Sequence, residues 1–75
     1  MSTVKIRTEY KFIVFRENPS IGVWNFFNKQ SGFELGVVEY FRHWKQYVVQ
    51  FVPDAIFSKQ YLLDIADFIR QLNEL

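Results

Sequence analysis

The chain predicts an α+β domain, a four-stranded antiparallel sheet packed by one C-terminal helix in the order ββββα. Three observations carry this. Phe57 to Leu75 repeats its apolar residues at three- and four-residue spacing, the mark of an amphipathic helix. Four short runs precede it, rich in β-branched and aromatic residues and alternating in polarity over much of their length. Clusters of turn-forming residues separate those runs.

The first strand is expected from Val4 to Phe15. Val4, Ile6, Thr8, Tyr10, Phe12 and Val14 take one parity and Lys5, Arg7, Glu9 and Lys11 the other, giving a half-buried strand with a charged outer face. At Ile13 and Phe15 the outer parity turns apolar, so the far end should be covered on both sides. Asn18, Pro19, Ser20 and Gly22 make a turn, and Val23 to Asn28 a second strand. Lys29-Gln30-Ser31-Gly32 closes a hairpin, with glycine available for a positive φ. Leu35 to Phe41 is the third strand, and Gly36 inside it predicts a bulge or a close approach of another backbone or ring. A break at Arg42-His43 leads into Lys45 to Val52, where Tyr47, Val49 and Phe51 share one face and Gln46, Val48 and Gln50 the other. Pro53-Asp54 ends that strand, and Ala55-Ile56-Phe57 crosses to the helix, whose start Ser58 can cap. Tyr61, Leu62, Ile65, Ala66, Phe68, Ile69 and Leu72 form the apolar helix face. Asp64, Asp67, Arg70, Gln71 and Glu74 fall on the other side.

Seventy-five residues make one domain, 1–75, close to the lower limit for a self-sufficient core, and no cysteine is available to staple it. Apolar mass compensates: 49% of residues are hydrophobic and 20% aromatic, which raises the question of where so many rings are buried. One helix covers one sheet face. The uncovered face is expected to carry Ile13, Phe15, Trp24, Phe26, Val38, Tyr40 and Val48, too apolar for water, so a homodimer is expected. Leu63, on the polar side of the helix, points the same way. No long apolar run follows Met1, so neither a signal peptide nor a membrane span is expected and a cytoplasmic location is the default.

An enzyme is not expected. His43 has no second histidine, cysteine or acid at metal-ligand spacing, and is read as a turn histidine. Glu34 and Glu39, five apart near one strand, point to opposite faces, and Asp64 and Asp67 with Arg70 and Glu74 read as a solvated charge network. Ser31-Gly32 lacks the strand-to-helix elbow of a nucleophilic serine, and no phosphate-cradling glycine loop is present. No metal or cofactor is called for. What stands out is Tyr40-Phe41-Arg42-His43-Trp44-Lys45-Gln46-Tyr47, where two cations and a histidine sit among four rings at a hairpin tip. Rings stack on bases while cations meet phosphates, which is how single-strand binders hold nucleic acid without reading much sequence. The plainer reading places these rings in the core or a subunit interface. Against a nucleic-acid role stands the net charge of only +1; Lys5, Arg7, Lys11 and Arg16 add a modest basic edge.

Leu35-Gly36, Tyr40, Trp44-Lys45-Gln46-Tyr47, Pro53, Phe57, Asp64-Ile65 and Phe68-Ile69 together resemble small uncharacterised bacterial and phage proteins that share an LG…W(R/K)QY…P…F…DI..FI pattern. The match covers the C-terminal half and departs at Glu39, where that pattern has an aromatic. The whole chain is also similar in element order to PUR and Whirly-type single-strand binders, whose sheet residues contact nucleic acid. That likeness implies Trp24, Tyr40, Arg42, Trp44, Lys45 and Tyr47 as binding residues. Three functions stay open: a non-catalytic module for single-stranded nucleic acid; a phage-type accessory protein that binds a host protein or sequesters a nucleotide signal; and a structural domain whose rings all lie in core and interface.

Overall fold

The computed structural model describes residues 5–75. Strands β1 (Ile13–Asn18), β2 (Val23–Asn28), β3 (Glu34–Phe41) and β4 (Gln46–Phe51) are followed by helix α1 (Lys59–Asn73). The strands lie side by side in sequence order, each antiparallel to the next, so hairpins make all the connections within the sheet. Local chemistry sets the turns. The Asn18 carbonyl accepts from the Gly22 N–H at 2.9 Å, and the Asn28 carboxamide oxygen accepts from the N–H groups of Gln30 and Ser31, both at 2.9 Å. Gly22 and Gly32 take φ of 70° and 82°, a region open to glycine because it has no Cβ.

The first strand is shorter than its alternation implies. Of the run expected from Val4, that residue lies outside the described part, and residues 5–10 are not continuous with β1. The chain bends at Lys11 and Phe12 and doubles back: the Tyr10 N–H donates to the Ile13 carbonyl and the Phe15 N–H to the Thr8 carbonyl, both at 2.8 Å. Glu9 opposes Val14 in a single antiparallel bridge. The bend breaks the parity, so Tyr10, Ile13 and Phe15 are all buried in one core.

That shift reverses the expected coverage of the sheet. The register pairs Phe15 with Phe26, Trp24 with Val38, Val38 with Val49 and Tyr40 with Tyr47, which places all of them on one face. It is the face under α1. Ile13, Phe26, Val38 and Phe68 are fully buried, and the rings of Phe15 and Phe68 stack in parallel with centroids 3.9 Å apart. Of the seven residues expected on the uncovered face, only Val48 is there. Its neighbours are Val14, Arg16, Asn25, Phe27, Val37, Glu39 and Gln50, a surface half polar. Hydrogen bonds knit it together, from Asn25 Nδ2 to Glu34 Oε2 at 2.7 Å and from Gln50 Nε2 to Glu39 Oε1 at 2.6 Å. The helix chose the more apolar side, and the rings found partners within the chain. The uncovered face keeps a smaller apolar share, with Val14, Phe27, Val37, Phe41 and Val48 half-buried on it.

Both expectations for Gly36 hold. The register shifts between Phe26 and Phe27, leaving Leu35 as the extra residue of a bulge, turned into the core, so Glu34 shares a face with Glu39 instead of pointing to the opposite one as expected. A Cβ on Gly36 would meet the Gln50 carbonyl oxygen and lie 2.8 Å from Cζ of Phe26, whose ring covers the glycine.

Ser58 caps α1 as expected, its Oγ accepting from the Tyr61 N–H at 3.2 Å. Ile65, Phe68 and Leu72 are buried as expected, but Leu62 and Ala66 are exposed and Asp64 is buried. The centre of the buried stripe runs through Phe68 and Leu72, which rolls Asp64 to its margin, where Gln60 Nε2 donates to Oδ1 at 2.8 Å. The carboxamide of Gln71 ties the N-terminal segment to the helix. It accepts from the Arg7 N–H at 2.7 Å and donates to the Arg7 carbonyl at 3.0 Å. The Tyr10 hydroxyl donates to Asp67 Oδ2 at 2.7 Å, and Arg70 holds the other oxygen of that carboxylate at 2.8 Å.

Candidate nucleic-acid interface

Between the last β3–β4 pair, Phe41 with Gln46, the chain turns through Arg42, His43, Trp44 and Lys45. The Trp44 N–H donates to the Phe41 carbonyl and the Lys45 N–H to the Arg42 carbonyl, both at 3.2 Å. Lys45 closes the loop in the left-handed region with φ 53°. Strand alternation then sorts the rings. Tyr40 and Tyr47 lie on the helix side and meet edge to face at 5.4 Å. Phe41 lies on the uncovered side and acts as a pedestal: the Trp44 ring stands edge-on to it at 5.1 Å and His43 tilts against it at 5.4 Å. Trp44 is 66% exposed and Tyr40 50%. Among the described residues neither Arg42 nor Lys45 is in an ion pair, and both are exposed.

The six expected binding residues therefore divide. Tyr40, Arg42, Trp44 and Lys45 gather at the accessible tip. Trp24 is half-buried with its ring edge-on to Phe68 at 5.1 Å, and Tyr47 packs against the core while its N–H donates to Asn73 Oδ1 at 2.8 Å. Phe41 stands in the singled-out stretch but not among the six expected binding residues, though its place beside the turn and opposite in parity to Tyr40 was a usable signal for its role as the pedestal. The basic edge dissolves with the bend in the first strand. The Arg7 guanidinium lies 4.2 Å from the Tyr10 ring centre, the Lys11 ammonium 5.3 Å from that of Phe12, and Arg16 6.0 Å from that of Phe27.

The Asp67 carboxylate is structurally engaged. Hydrogen bonds from Arg70 and then from Tyr10 hold the Asp67 carboxyl below the usual range. Burial, reinforced by the hydrogen bond to Asp67, pushes the Tyr10 hydroxyl well above the ordinary phenol value. Among the described residues no three His, Asp or Glu side chains gather as metal ligands would. No family model, curated protein or solved structure matches the chain.

Proposed function

We propose that the chain is a small non-catalytic module that binds single-stranded nucleic acid through the tip of the β3–β4 hairpin. The observation that carries this reading is the mounting of Trp44: its indole stands proud of Phe41, two-thirds exposed, between two cations without a carboxylate partner among the described residues. A base stacks on such a ring, while Arg42 and Lys45 meet the flanking phosphates; Tyr40 lies on the other face of the hairpin. The uncovered sheet face is a poorer candidate, because Glu34 and Glu39 would repel a phosphate backbone. Contacts confined to a hairpin tip imply a short footprint with little sequence discrimination.

Titration of a fluorescent thymidine oligonucleotide at several salt concentrations tests the proposal. With two cations engaged, the slope of log K against log salt should be about −1.4. Trp44→Ala should weaken binding by about 1–3 kcal/mol, and Lys45→Ala should reduce the slope by about 0.7. Binding that is indifferent to both substitutions refutes it.

A further inference from the structure

At the other end of the sheet lies a groove that nucleic-acid binding at the tip does not use. Phe33, in the β2–β3 turn, and Ile56, in the chain leaving β4, line it and are 75% and 88% exposed. Leu35, Val52 and Pro53 add apolar lining. Its volume is about 320 Å³, small enough to suit one anchoring side chain better than a large ligand. The only charged residues along it are Glu34 and Asp54. Glu34 binds Asn25 through one oxygen, and its second oxygen has no partner among the described residues.

An apolar groove with an acidic border calls for an apolar anchor flanked by cations, and this chain carries one. Trp44 is an exposed indole between Arg42 and Lys45, and no acidic residue occurs from Phe41 to Tyr47. We propose that the Trp44 tip of one copy docks into the Phe33–Ile56 groove of a second copy, with Arg42 and Lys45 facing Glu34 and Asp54. Size, apolar character and charge all match, and buried aromatic anchors in small pockets dominate the energetics of interfaces.

Geometry then fixes the kind of assembly. Tip and groove sit at opposite ends of β3, whose eight residues span about 27 Å, so a copy cannot fill its own groove. The contact joins two different patches and is heterologous, which builds a ring or an open array, unlike a two-fold dimer. This inference stands independently of nucleic-acid binding, although it uses the same tip.

Sedimentation velocity without oligonucleotide tests it, using the wild type, Trp44→Ala and Ile56→Asp. Both substituted side chains are mostly exposed, so the fold should survive, and circular dichroism verifies that. The wild type should grow with concentration beyond two copies, and each variant alone should associate at least about tenfold more weakly. Mixed in equal amounts, the variants should form a one-to-one pair that grows no further. The tip of Ile56→Asp docks in the groove of Trp44→Ala, and both remaining halves are dead. A wild type that stays monomeric up to about 1 mM overturns the proposal, as does a dimer that neither variant disturbs or a mixture that fails to pair. Oligonucleotide binding by Ile56→Asp, whose tip is intact, is measured separately, so failure of either reading leaves the other standing.

Discussion

Lys45 is where the interests of the fold and of the hairpin tip diverge. Each of the three hairpin turns contains a residue with positive φ: Gly22 at 70°, Gly32 at 82° and Lys45 at 53°. Glycine tolerates that region, whereas a side chain there costs roughly 1 kcal/mol. Lys45→Gly should therefore raise stability by about 1 kcal/mol, or about 4–8 °C in Tm for a domain of this size. The same change should lower oligonucleotide affinity and flatten its salt dependence by about 0.7 in slope. Thermal melts and titrations on one preparation decide the matter; a stabilised variant that binds as before removes Lys45 from the interface. Gly36 makes the opposite case. There a Cβ runs into the Gln50 backbone and the Phe26 ring, so Gly36→Ala should destabilise the sheet by about 1–3 kcal/mol, read from urea midpoints.

Among the elements, the N-terminal segment depends most on a few polar groups, since Gln71 and Asp67 fasten it to α1. Tyr10 makes that fastening sensitive to alkali. Its folded hydroxyl keeps a proton that the unfolded tyrosine loses near pH 10, so the stabilisation is complete below about pH 10 and falls as pH rises beyond it. Tyr10→Phe should cost about 1–2 kcal/mol at neutral pH and make the loss above about pH 10 shallower. Equal slopes for the two proteins would show that Tyr10 does not hold its proton. How far each element could be read from the sequence depends on how local its signal is. The helix, its Ser58 cap and strands β2 to β4 were legible because periodicity and turn chemistry are local. The bend at Lys11-Phe12 was not, since it has neither glycine nor proline and the alternation runs straight through it. Missing it inverted the covered face, so six of the seven residues expected on the open side lie under α1. Tip residues were legible because they are neighbours in sequence. That Trp24 and Tyr47 pack against the core was not legible, because ring type does not say which side of a sheet a residue faces. Phe33 and Ile56 gave no signal at all, being isolated apolar residues in two separate connections that only the fold brings to one groove.

At the scale of the whole molecule, the local charge of the tip and of the groove matters more than the net charge of +1. The hairpin tip presents Arg42 and Lys45 around an indole, and Glu34 and Asp54 border the groove at the other end of β3, so the two patches are opposite in charge. An indole stacked on a base cannot also sit in a neighbour's groove. If both proposals hold, nucleic acid and self-assembly are competing uses of one tip. Adding a short thymidine oligonucleotide to the assembled wild type should then lower its sedimentation coefficient towards that of a single copy, with a midpoint that rises with protein concentration. Ile56→Asp, whose tip no neighbour can occupy, should bind the oligonucleotide at least as tightly as the wild type at every protein concentration. The wild type should approach it only on dilution, because the fraction of free tips sets its apparent affinity. Assemblies that persist when saturated with oligonucleotide would show that the two surfaces are separate, and would place the nucleic-acid contact away from Trp44.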